Sequence, residues 1–196
     1  QADAVIKGQG SIASTESLSV VSTGKASSSA RIEGARISVD AVKVAVNQVE
    51  SYLRAKQTSE ITIARLEAGS LNVKSLFNQE AQNIGARATV GVNGSLRIKS
   101  IMAPRTLMEA KVYAKLSGYD MLVTGPVVVN TLANAYAFAT VMNKTTISMY
   151  HASLVDTKAS AAGEFVAIVE NLRDPAQSGL KMQSGSMDIK AAYHTQ

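Results

Sequence analysis

The sequence predicts a mainly β fold, antiparallel and sandwich-like, with one or two short helices and an extended N-terminal arm. Three observations predict it: a period-two alternation that opens the chain, a hairpin signal at Asn93-Gly94, and an almost wholly aliphatic stock of core residues. A β-solenoid of short rungs is the alternative, although no fixed-period repeat is evident along the chain.

The alternation comes first. Even positions from Ala4 to Val20 carry Ile6, Ile12 and Leu18, with Gly8 and Gly10 between them, while the odd positions are largely polar. One apolar face at period two marks a half-buried strand. The two glycines leave a slot that another backbone can approach. Residues 22–30 are Ser-rich and read as a flexible link. The expected organisation is therefore an arm and link over 1–30 and a single β-rich domain over 31–196.

Residues 41–56 are expected to be helical. Asp40 suits an N-cap, and Val42, Val46, Val49 and Leu53 fall on one stripe at helical spacing. The β-branched content opposes this. After Ile61–Ile63 and a turn near Gly69 comes the hairpin. A three-residue loop Val92–Gly94, with Gly94 left-handed, pairs Val90 with Leu96 and Ala88 with Ile98 and keeps one buried face.

Residues 105–118 pose a conflict. Thr106-Leu107-Met108-Glu109 has the capping-box pattern, and Met108, Val112 and Leu116 share a helical face. Met108, Ala110, Val112, Ala114 and Leu116 also alternate as a strand. The capping box favours helix. From Tyr119 onward the pattern is β, with Phe165–Val169 apolar on both faces, as in a central strand. Met187, Ile189, Ala191 and Tyr193 then form a one-faced final strand.

Composition bounds the function. Hydrophobic residues are 46% of the 196, enough for a packed core, but aromatics are 5% and Trp is absent, so the core is built from aliphatic side chains. No apolar run approaches the ~18 residues of a membrane-spanning helix; Met121–Val129 is broken by Thr124, Gly125 and Pro126. The net charge of +5 suggests nucleic acid, but Lys7, Lys25, Arg31, Arg36 and Lys43 are scattered singly and no aromatic platform accompanies them. Cysteine is absent, which removes disulfides, thiolate metal sites and thiol nucleophiles together. The opening Gln1-Ala2-Asp3-Ala4 suits the mature side of a signal-peptidase cut, so the expected location is secreted, extracellular or at a cell surface.

Chemical motifs fail on inspection. Gly24-Lys25 lacks both the glycine five residues before and the hydroxyl after the lysine that a phosphate loop needs. Gly8-Gln9-Gly10 lacks the third glycine of a dinucleotide site. His151 with Ser153 and Asp156 has no nucleophile elbow, and His194 is read as solvent-facing or at a contact. Glu67 with Glu80, or Glu164 with Glu170, would be paired acids without the aromatics that line a sugar cleft. The sequons at Asn93 and Asn143 read better as turns.

The expectation is a non-enzymatic structural subunit that uses no cofactor, metal or small-molecule substrate. Its partners are copies of itself in a fimbria-like filament, joined by β-strand exchange. Ile6, Gly8, Gly10, Ile12, Leu18 and Val20 form the expected interface. A viral capsid or tail protein and a secreted binding module are the alternatives.

Overall fold

The computed structural model describes residues 1–32, 44–79, 84–94, 98–145, 151–172 and 182–195. Nearly all of them are strand: β1 (Ala2–Gly24), β2 (Ser28–Ile32), β3 (Val44–Phe77), β4 (Gly85–Gly94), β5 (Ile98–Thr145), β6 (His151–Val155), β7 (Lys158–Asn171) and β8 (Met182–Thr195). They join in one sheet, with β1, β3, β5, β4 and β2 along one path and β6, β7 and β8 on the other side of β5. Every pairing is parallel. The fold is thus neither an antiparallel sandwich nor a solenoid with helices. It is a parallel sheet curled strongly into a half barrel.

Parallel neighbours cannot be joined by a tight turn, so the chain must travel far before it lies beside itself again. Ala2 lies beside Gln57, Gln57 beside Val112, and Val112 beside Phe165. The result is four layers: β1 and β2, then β3 and β4, then β5, then β6 to β8. Like side chains stack in columns across them. Ile6, Ile61, Leu116 and Val169 form one column, and Val20, Val73, Val129 and Ile189 another. The curl brings the two columns into one core, where Ile61, Leu116, Val73 and Val129 are fully buried. Across it, the Ser59 hydroxyl donates to the Lys74 carbonyl at 2.6 Å.

Both expected helices are strands. Over 44–56 the buried positions include Val49 and Ser51 while Glu50 and Tyr52 face out, a period of two. Residues 41–43 lie outside the described residues. Over 105–118, Met108, Ala110, Val112, Ala114 and Leu116 are all fully buried. The reason is countable: a helix would bury the three residues of one stripe, whereas the strand buries five and matches them to β3 on one side and β7 on the other. Thr106, expected to cap a helix, is instead an inward strand residue. The hairpin is absent too. Val90 is flanked by Ile32 and Val141, both in parallel strands, and β4 continues through Gly94 beside Thr145. Leu96 lies outside the described residues. Phe165–Val169, expected in a central strand, lies in β7, which among the described residues pairs with β5 alone.

The bend of the sheet requires glycine. A Cβ on Gly69 would stand 2.6 Å from the Thr15 carbonyl oxygen, one on Gly125 2.6 Å from the Gly69 oxygen, and one on Gly185 2.8 Å from the Thr124 oxygen. The same contact recurs in three successive layers, so each layer can turn only where its Cβ is missing. Gly125→Ala is expected to lower stability by about 1–3 kcal/mol, as overpacking does, in urea unfolding. An unchanged midpoint would show that the bend can open.

Candidate assembly edges

The expected interface residues all lie on β1. Its alternation holds on either side of the bend, where Glu16 is exposed: Val20 is buried and Ile6, Ile12 and Leu18 pack against the core of the same chain. Ile6 lies beside Ile61, Gly8 beside Ile63, Ile12 beside Leu66, Leu18 beside Leu71 and Val20 beside Val73. Gly10 sits in the register shift between Gly8 and Ser11, and a Cβ there would meet no atom within 4 Å. β1 therefore uses one edge on its own sheet. Among the described residues its other edge has no strand beside it, and neither have the outer edges of β7 and β8.

These two edges differ from the layers between them in burial. Leu71, Val73, Val127 and Val129 are fully buried, but their column mates Met187 and Ile189 in β8 are 43% and 45% exposed. The core is filled in the middle and uncovered at the β8 end.

The outer face carries an ordered set of charges. Lys7 Nζ lies 2.8 Å from Glu60 Oε2, and Lys115 Nζ lies 2.8 Å from Glu170 Oε2. Glu60 and Lys115 are themselves register partners. The signs thus alternate, plus, minus, plus, minus, across the four layers. Burial pushes the Glu60 carboxyl up, but hydrogen bonds from Lys7 and Thr62 and the charges of Lys7 and Lys115 outweigh it and hold the group below its ordinary value of 4.5. Lys115 also holds Glu170 low, chiefly by its hydrogen bond. A carboxyl whose folded value is depressed stabilises above its unfolded value, and that stability is lost as pH falls through the folded value. The melting temperature is therefore expected to hold from pH 7 to about 5 and to fall below pH 4.5, and Glu60→Gln is expected to flatten part of that fall. A Glu60→Gln profile that parallels the parent would place the acid sensitivity elsewhere.

A buried polar seam runs between the facing halves. The Ser22 hydroxyl is 2.7 Å from that of Ser59 and 2.9 Å from that of Ser75, and Gln57 Nε2 donates to the carbonyls of Ser22 and Leu76 at 2.7 and 3.0 Å. At the next corner Asn78 Oδ1 accepts from the Ala26 amide at 3.0 Å, and Asn134 Nδ2 donates to the Asn78 carbonyl at 3.0 Å. Sequence reasoning missed this seam. Its signal was present: Ser22, Ser75 and Thr131 occupy one column, and Asn78 and Asn134 are spaced like their neighbours Phe77 and Ala133.

The residues weighed for catalysis are not brought together. The backbone of His151 pairs with Ile98 and that of His194 with Asn134, on different strands of the outer layer. Asp156 faces Arg105 at 3.6 Å. Glu164 accepts from the Tyr113 hydroxyl at 2.7 Å and Glu170 is paired with Lys115; Glu80 lies outside the described residues. A cleft of about 410 Å³ is lined by Thr23, Gly24, Lys25, Leu76 and Gln79, which include no carboxylate or imidazole to move a proton. Among the described residues no group of three or more His, Asp or Glu is placed to hold a metal ion, and no helix is long and apolar enough to cross a membrane.

No protein-family model, curated protein or solved structure matches the chain.

Proposed function

We infer that the protein is a structural subunit that polymerises with copies of itself, the β1 layer of one copy laid along the β7–β8 layer of the next. The observation that carries this is the pair of parallel edges, unpaired among the described residues, at opposite ends of one ladder and running in the same direction. A parallel edge offers its N–H and C=O groups to any strand that continues the register. Here the strand that continues it belongs to the same chain at its other end. The contact joins unlike surfaces, so it propagates as a filament.

The column pattern supports the same docking. With Ala2 of the next copy beside Phe165, Ile6 falls on Val169, Leu18 on Met187 and Val20 on Ile189, extending columns already occupied by Ile, Leu and Val. Met187 and Ile189 lose their remaining exposure of 43% and 45%, worth roughly half of the ~1.5–3 kcal/mol of a large aliphatic side chain fully buried. Thr15 and Glu16 of β1 stand where the inner layers have glycine at the bend, so the contact is made by the flanks, residues 2–8 and 17–24. This mode differs from strand exchange, because β1 keeps its place in its own sheet and uses only its outer edge.

Electron microscopy and sedimentation velocity of the chain at neutral pH test the reading. Filaments whose mass rises with concentration above a threshold are expected. A species that stays monomeric at the highest soluble concentration contradicts it.

A further inference from the structure

We propose that Lys7 and Glu170 are the polarity lock of that assembly, pairing across the seam between copies as the missing rung of the charged ladder. The inference rests on the polymer reading and adds what sets its direction. Within one subunit the ladder runs Lys7, Glu60, Lys115, Glu170. Lys7, Thr62, Ser117 and Glu170 share one column, and Val5, Glu60, Lys115 and Ile168 the adjacent outward one. When the next copy continues the register, its Lys7 falls directly beside Glu170, as Lys115 falls beside Glu60 inside the subunit. The alternation of sign then passes through the seam unbroken.

The ends of the ladder are opposite in charge, and that selects the mode of docking. Two like edges join antiparallel about a two-fold axis, which gives Lys7 no Glu170 to meet at a β1–β1 contact and Glu170 no Lys7 at a β7–β7 contact. Like charges facing each other across strands repel, and opposite charges attract. Lys7 is 58% exposed and the Glu170 side chain 40%, so both remain able to take a second partner. Glu170 keeps Lys115 on one side and gains Lys7 of the next copy on the other.

The test uses Lys7→Glu and Glu170→Lys, singly, mixed and combined, at low salt where screening is weakest. Each single variant alone would face like charges at every seam. Its critical concentration is expected to rise about tenfold over the parent's, which corresponds to ~1.4 kcal/mol per seam. Mixed in equal amounts, the two are expected to polymerise near the parent's threshold as an alternating copolymer, because each end then meets its opposite. The doubly substituted chain is also expected to polymerise, with the seam pair reversed, although both pairs inside the subunit are broken. A purely intramolecular role predicts the contrary order, with the double variant worst. If each single variant polymerises like the parent, or the mixture and the double variant fail to recover, the lock is refuted while the polymer reading stands. If the parent itself never polymerises, the polymer reading falls and the lock with it.

Discussion

Replacing Asn78 with Ala is expected to lower the unfolding free energy by about 2–5 kcal/mol, from a left-handed backbone penalty of ~1–2 kcal/mol and orphaned buried groups at ~1–3 kcal/mol. Asn78 is fully buried at φ 52°, the one described non-glycine residue with positive φ. Its backbone N–H donates to the Gly24 carbonyl at 2.9 Å, and its side-chain amide faces the carbonyls of Ala26, Ile84 and Asn134 at 3.3–3.4 Å. Asparagine tolerates this conformation because its short polar chain hydrogen-bonds locally. Alanine satisfies neither the dihedral nor the carbonyls. Asn78→Gly separates the two causes: it relieves the dihedral and is expected to recover about 1 kcal/mol relative to Ala. Chemical denaturation of the three proteins measures both steps. A loss below about 0.5 kcal/mol for Asn78→Ala would mean that water replaces the side chain at this corner.

Leu116→Ala is expected to lower stability by about 2–5 kcal/mol, the range for emptying a fully buried aliphatic site. Leu116 stands between Ile61 and Val169 with no exposure and no open end to collapse into. Ile189→Ala is the contrast. In the isolated subunit its residue exposure is 45%, so about half of its burial is made within the subunit and about half at the seam. The stability loss is expected to be about 1 kcal/mol, with a comparable further effect on assembly. Melting of dilute protein and the polymerisation threshold read the two effects separately. Equal effects of Ile189→Ala and Leu116→Ala on dilute protein would contradict the assigned burial.

Much of the secondary structure was legible in the sequence and its direction was not. The even face of β1 and the alternation of Met187 and Ile189 follow from period two alone. Period two does not distinguish parallel from antiparallel neighbours, because a strand presents the same two faces to either. The Asn93-Gly94 signal is local, and the register that overrides it comes from Ile32 and Val141, residues far away in sequence. At 105–118 a capping box set by four residues lost to five buried positions that pair on both sides. The repeat escaped notice because its identity is in character, not in residue: Ile6, Ile61, Leu116 and Val169 share size and apolarity. The offset between β1 and β3, and again between β3 and β5, starts at 55 residues and shifts by one at each irregularity, so it becomes visible only when the columns are aligned. For the candidate site, sequence reasoning selected the inward side chains of β1. The outer edge and the outward Lys7 emerged from the layer order.

The most direct measurement of end-to-end stacking exploits the absence of cysteine from the chain. In the continued register Val5 of one copy lies beside Ile168 of the next, since Val5, Glu60, Lys115 and Ile168 form one column. Adjacent strands are about 4.8 Å apart, within the Cα separation a disulfide accepts. Val5→Cys and Ile168→Cys proteins are mixed, allowed to assemble, oxidised briefly and run without reductant. The account predicts a mixed disulfide dimer containing one of each variant and no dimer from either variant alone. Dimers of Val5→Cys with itself, or assembled material in which the mixture stays unlinked, would contradict it.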